Sequence, residues 1–174
     1  MKVIVPLCAA LIAAAPSSAH AAGEVFGGVL AHAVDTPLSL DSGKEDGVDV
    51  ELGYRGERLG RTPFQPYVLA HVNLNGETSF AAAGLSAKFG DAFYVRPALG
   101  IAVHNGSAAN STHVGHDHID FGSRILFAPE VSVGARIGAR ASIEASLVHF
   151  SHATLFSSQN PGIDNIGARF NWKL

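Results

Sequence analysis

The sequence predicts an all-β fold, an eight-stranded antiparallel transmembrane β-barrel of the outer-membrane type. Three observations carry that expectation. The 174-residue chain is 47% hydrophobic, yet beyond residue 21 no window approaches the roughly 18 consecutive apolar residues that a transmembrane helix requires. Its apolar residues fall instead into alternating runs of strand length, so every second side chain faces the same way. The links between runs also differ in length, as in barrels with short periplasmic turns and longer external loops.

The chain opens with Lys2 and an apolar run to Ala15, then the small-residue signal Ala19-His20-Ala21. This reads as a secretory signal peptide over 1–21, with 22–174 left as a single barrel domain. The one cysteine, Cys8, falls in that leader, so the mature chain offers neither a disulfide nor a thiolate nucleophile. A net charge of −3, with no basic patch interleaved with aromatic residues, argues against nucleic acid as a partner.

The first strand is expected over 25–34, ending at Asp35-Thr36-Pro37, and a polar loop follows over 38–47. Val48, Val50, Leu52 and Tyr54 then alternate with Asp49, Glu51, Gly53 and Arg55, one face suited to lipid and the other to a polar interior. A break over 56–66 leads to a third strand over 67–74, and Asn75-Gly76 is a hairpin signal. The fourth strand runs over 79–89 and turns at Gly90-Asp91. In the fifth, over 93–103, Pro97 removes a ladder donor and points to an edge or a bulge. After a loop over 104–120, strands over 125–137, 142–151 and 164–174 complete the eight.

With both termini on the periplasmic side, the long links after strands 1, 5 and 7 face outward. Ser151 then lies at the outer end of strand 7 and Asp164 at the outer start of strand 8. Strand parity puts His149 and Ser151 on the face of Ala145 and Leu147, and Asp164 on the face of Ile166, Ala168, Phe170 and Trp172. A nucleophile, a base and a carboxylate would thus share the lipid-facing wall, where polar groups are costly. The His149 and Ser151 Cα atoms would be about 6.5–7 Å apart by strand rise, a gap side chains can close. The plainer reading is that both are interfacial polar residues at a strand end. Asn160-Pro161-Gly162, just before Asp164, are turn-forming residues in their own right.

His149-x-Ser151 on the penultimate strand, Asn160-Pro161-Gly162, and an acid opening the last strand together resemble the outer-membrane lipid A 3-O-deacylase family, the PagL-type acyloxyacyl hydrolases. The match covers about 141–174. It departs from the family pattern at His152, where Asn is usual, and at Asp164, where Glu is frequent. The resemblance implies a catalytic set of His149, Ser151 and Asp164, with Asn160 or nearby backbone N–H groups such as that of Gly162 forming an oxyanion hole. It implies hydrolysis of the ester-linked 3-hydroxyacyl chain at the 3-position of lipid A, without metal or cofactor. Lipopolysaccharide would be the substrate and outer-membrane lipids the surroundings; a homo-oligomer stays open.

Glu144 has the opposite parity from His149 and is expected to pair inside with Arg124, Arg136 or Arg169. Asp49, Glu51, Arg96, Glu130, Arg136, Arg169 and Lys173 are expected to form a satisfied network within the barrel. His104, His113, His116 and His118 with Asp117 and Asp120 match no zinc spacing and read as solvated loop residues. Two competing readings remain at this stage: a non-catalytic small outer-membrane barrel with a structural, adhesive or binding role, and an acyl transferase that passes the chain to another lipid.

Overall fold

A computed structural model describes residues 23–39, 44–110, 118–155 and 160–174. The expected signal peptide and the loop residues His113, His116 and Asp117 lie outside these. The eight long strands are β1 (Glu24–Ala31), β2 (Val48–Arg55), β3 (Phe64–Asn73), β4 (Phe80–Ala87), β5 (Phe93–His104), β6 (Ile125–Arg136), β7 (Ala141–Phe150) and β8 (Ile163–Lys173). A two-residue segment, Phe89–Gly90, continues β4 along β5. Each strand pairs antiparallel with its sequence neighbours, and β1 also pairs with β8. The sheet therefore closes on itself, which removes every edge and satisfies the backbone within a membrane.

Alternation decides what faces where. Along β5, Phe93, Val95, Leu99, Ile101 and Val103 are exposed whereas Tyr94, Arg96, Ala102 and His104 are buried. The same pattern in β2, β6 and β7 covers the outer wall with Val, Ile, Leu and Phe, the apolar band that a membrane barrel presents to lipid.

Two expectations about proline are revised. Pro97 sits within a continuous register, paired with Val131 of β6, with neither an edge nor a bulge. The bond from Asn105 N to Ser79 O shows that odd-numbered residues of β5 donate toward β4, so the missing Pro97 donor faces Ala87. That is where the β4 ladder breaks before resuming at Phe89. The link expected over 56–66 is shorter than it reads, because Pro66 already belongs to β3 and accepts a 2.8 Å bond from the Gly56 N–H. Proline is tolerated there because it closes the β2–β3 ladder, while β3 itself continues to Phe64 along β4.

The interior has two layers. Toward the outer end, Leu30, Phe80, Ile119, Phe121, Leu126, Phe150 and Ile163 form a dry cluster, with Phe80 stacked on Phe150 at 4.0 Å. Below it Arg169 reaches Glu51 and Glu130, each at 2.6 Å. Arg96 reaches Glu144 and Glu24 at 2.9 Å, and Arg55 also bonds Glu24. The Arg55 and Arg169 guanidinium groups both stand over the Phe26 ring, 4.5 and 4.7 Å from its centroid, within cation–π range. Glu144 thus takes Arg96 as its main partner, with Arg169 at 3.5 Å. Arg136 and Lys173 leave the expected network: both are exposed at the periplasmic rim, where Arg136 pairs with Asp91 at 2.8 Å.

Candidate active site

The site is built where the outer ends of β7 and β8 meet the segment that follows β1. His149 and Asp164 are directly opposite in the β7–β8 register. The bond from Lys173 N to Arg140 O belongs to the same register, so even-numbered residues of β7 exchange backbone bonds with β8 and odd-numbered ones do not. The His149–Asp164 pair is therefore non-hydrogen-bonded in its backbone, the kind with the closer side chains. His149 Nδ1 lies 2.7 Å from Asp164 Oδ1. A neutral imidazole donating Nδ1–H to a carboxylate keeps its Nε2 lone pair available as a base. The imidazole is 18% exposed and the carboxylate wholly buried, so the base opens to the surroundings while its partner is shielded.

Ser151 continues the β7 line. It exchanges two backbone bonds with Phe127, 2.7 Å from Phe127 N to Ser151 O and 3.1 Å in return. Residues paired in this way share a face, and Phe127 has the outward parity of Ile125, Pro129 and Val131. Ser151 thus stands on the same face as His149, and it is buried. Among the described residues no hydrogen bond yet joins its hydroxyl to the imidazole. Directly after it the chain swings off the barrel wall: Ala153 and Thr154 adopt φ of 53° and 58°, and Leu155 N closes a 3.0 Å turn onto His152 O. His152, where the family usually has Asn, is completely buried.

Asn160 and Gly162 each have a specific contact. The Asn160 Oδ1 accepts the His152 backbone N–H at 3.1 Å, which commits the amide oxygen and leaves Nδ2 as the donor end. A Cβ placed on Gly162 would stand 2.5 Å from His149 Cε1 and 3.0 Å from Nε2. Gly162 is thus the seat of the catalytic-candidate ring, and only a residue without a side chain leaves that ring its place.

One contact was not legible beforehand. Thr36 Oγ1 donates to Asp164 Oδ2, so both carboxylate oxygens are engaged. Ala33, at φ 52°, adds one residue at the end of β1, which is why that strand stops at Ala31 rather than running to 34. The Val34 N–H then meets Asp164 O at 2.8 Å and the Ala33 N–H meets Asn165 Oδ1 at 3.1 Å. Inside the wall, Asn165 Nδ2 donates to Asp49 at 2.7 Å. His32, fully enclosed, bonds Asp49 through Nδ1 at 3.0 Å and Glu45 through Nε2 at 3.1 Å. Burial opposes charge on His32, yet bonds and attraction to these two carboxylates outweigh it and raise its pKa to about 9.

His104, His118 and Asp120 do not join this site. His104 is buried and its Nε2 lies 2.7 Å from Ser123 O, while His118 and Asp120 pair with each other at 3.3 Å.

Comparison with known proteins agrees with the fold. Residues 47–173 match the family described as Lipid A 3-O-deacylase (PagL). No curated protein matches by sequence. Among solved structures, the outer membrane enzyme PagL is 16% identical with a TM-score of 0.58, over 87% of this chain and 99% of that one. Neisserial surface protein A is 10% identical with a TM-score of 0.53, over 88% of this chain and 97% of that one. These likenesses show the closed outer-membrane barrel, and the family match spans well over half of the sequence: the chain belongs to the PagL family of lipid A 3-O-deacylases.

Proposed function

We propose that this barrel hydrolyses the ester-linked 3-hydroxyacyl chain at the 3-position of lipid A, with Ser151 as nucleophile, His149 as general base and acid, and Asp164 as the group that orients the imidazole. The observation that carries the reading is the 2.7 Å bond from His149 Nδ1 to a buried carboxylate on the membrane-facing wall, two residues from a serine on the same face. His149 Nε2 takes the hydroxyl proton as Ser151 Oγ attacks the ester carbonyl. Apo hydrolases often tighten this serine–imidazole contact only when substrate is bound. The negative charge that develops on the carbonyl oxygen is met by Asn160 Nδ2 and the Gly162 backbone N–H. Collapse of the tetrahedral intermediate expels the sugar oxygen, which takes the proton from His149. Water, deprotonated by the same imidazole, then releases the 3-hydroxy fatty acid and restores Ser151. A substrate anchored in the outer leaflet reaches an outward-facing site by lateral diffusion, which accounts for polar groups on an apolar wall.

Mass spectrometry of lipid A from cells carrying the protein tests this directly. The intact chain is expected to remove the mass of one hydroxyacyl group and Ser151→Ala to leave lipid A unmodified while still folding. Undiminished deacylation by Ser151→Ala would overturn the serine mechanism; equal lipid A masses with and without the intact protein would favour a non-catalytic barrel. Recovery of the chain on a second lipid rather than as free fatty acid would identify a transferase.

A further inference from the structure

We propose that Thr36 is a positioning residue that locks the Asp164 carboxylate against His149, a role that rests on the triad reading above. Asp164 is wholly buried at the wall, and its two oxygens have separate tasks. Oδ1 holds the imidazole, and Oδ2 receives the Thr36 hydroxyl. A buried carboxylate oxygen without a donor is costly, and a carboxylate held at one oxygen only is free to rotate and carry Oδ1 off line. The hydroxyl removes both problems at once.

The geometry around Thr36 fixes which way its proton points. The Leu38 backbone N–H donates to Thr36 Oγ1 at 3.0 Å, which occupies a lone pair and directs the hydroxyl proton toward Asp164. Pro37 presets the bend between them, and the turn closes from Ser39 N to Thr36 O at 3.3 Å. The segment is anchored on both sides of the wall: inside by His32 on Asp49 and Glu45, and at its crossing by Val34 N on Asp164 O. Thr36 lies outside the 47–173 stretch that the family match covers, so family membership does not assign it.

Kinetics of the full-length folded barrel on lipid A in detergent micelles test the role, with folding checked by the mobility difference between heated and unheated protein. Thr36→Val keeps the shape and deletes the donor; it is expected to lower kcat about tenfold to a hundredfold, the effect of a hydrogen bond to a charged group, with KM unchanged. Thr36→Ala gives the same loss should Val fail to fold, and Thr36→Ser restores kcat to within about twofold by returning the hydroxyl. Because Thr36 acts through Asp164, Thr36→Val adds little to Asp164→Asn in a double-mutant cycle. Full kcat in Thr36→Val and Thr36→Ala alongside an inactive Ser151→Ala would overturn this role while leaving the triad intact, and so would an additive cycle or failed rescue by Thr36→Ser. Full activity in Ser151→Ala or Asp164→Asn would instead remove the triad and this inference with it.

Discussion

The two carboxylates Asp164 and Glu144 differ in the side of the wall each occupies. Asp164 meets His149 on the outer face, whereas Glu144 is bonded to Arg96 inside. Asp164→Asn leaves the shape but presents the wrong tautomer to His149, and kcat should fall by about 10³–10⁴. Glu144→Gln should leave kcat of the folded enzyme near that of the parent and act on stability, because it weakens the partner of a buried guanidinium. Kinetics and urea unfolding of the two variants in detergent tell the sites apart; a reversed result would mean that the strands are displaced by one residue. Gly162 offers a third check. Gly162→Ala, whose methyl group enters the space of the imidazole, should depress kcat more than it changes the unfolding midpoint.

At the scale of elements, the first outer loop is the part that ties loops and site together. Glu45 enters the mouth and accepts bonds from His32 at 3.1 Å, from the Thr78 N–H at 3.1 Å and hydroxyl at 2.9 Å, and from the Ile119 N–H at 3.2 Å. Burial pushes its pKa up, but the bonds from His32, Thr78 and Ile119 hold it below the usual carboxylate value. His32 has a folded pKa of about 9 against 6.5 for the free side chain. A raised cation pKa stabilises fully below about pH 6.5, and the contribution is lost as pH rises through about 9. The thermal midpoint of the folded barrel should therefore fall between pH 8 and 10 by more in the parent than in His32→Gln; parallel curves would refute the assignment. Strands were readable because a half-buried sheet writes its period of two directly into the residues, as in Val48 to Arg55. This loop was not, since the extra residue at Ala33 and the reach of Thr36 depend on backbone conformation and on contacts across more than a hundred residues. Parity also gave the outward face of His149, Ser151 and Asp164, but the direct His149–Asp164 pairing needed the register, which parity alone leaves free in steps of two.

For the whole molecule, the interior charges replace the water that a wider barrel would hold. Arg169 neutralises Glu51 and Glu130 with no solvent access, so Arg169→Met should destabilise the folded barrel by about 3–5 kcal/mol, read from urea unfolding, because two buried carboxylates lose their partner. Arg136 and Lys173, also expected inside, lie where β6 and β8 emerge at the periplasmic rim; the alternation that sorts faces carries no information about depth, and a strand end frees a long cation to reach water. The packed shaft has a further consequence. With Phe80 laid on Phe150 as a stopper and three guanidinium groups filling the space beneath, the envelope acquires no hole: solutes and antibiotics meet a sealed surface however many copies are present, so dye-loaded liposomes carrying this protein should not leak.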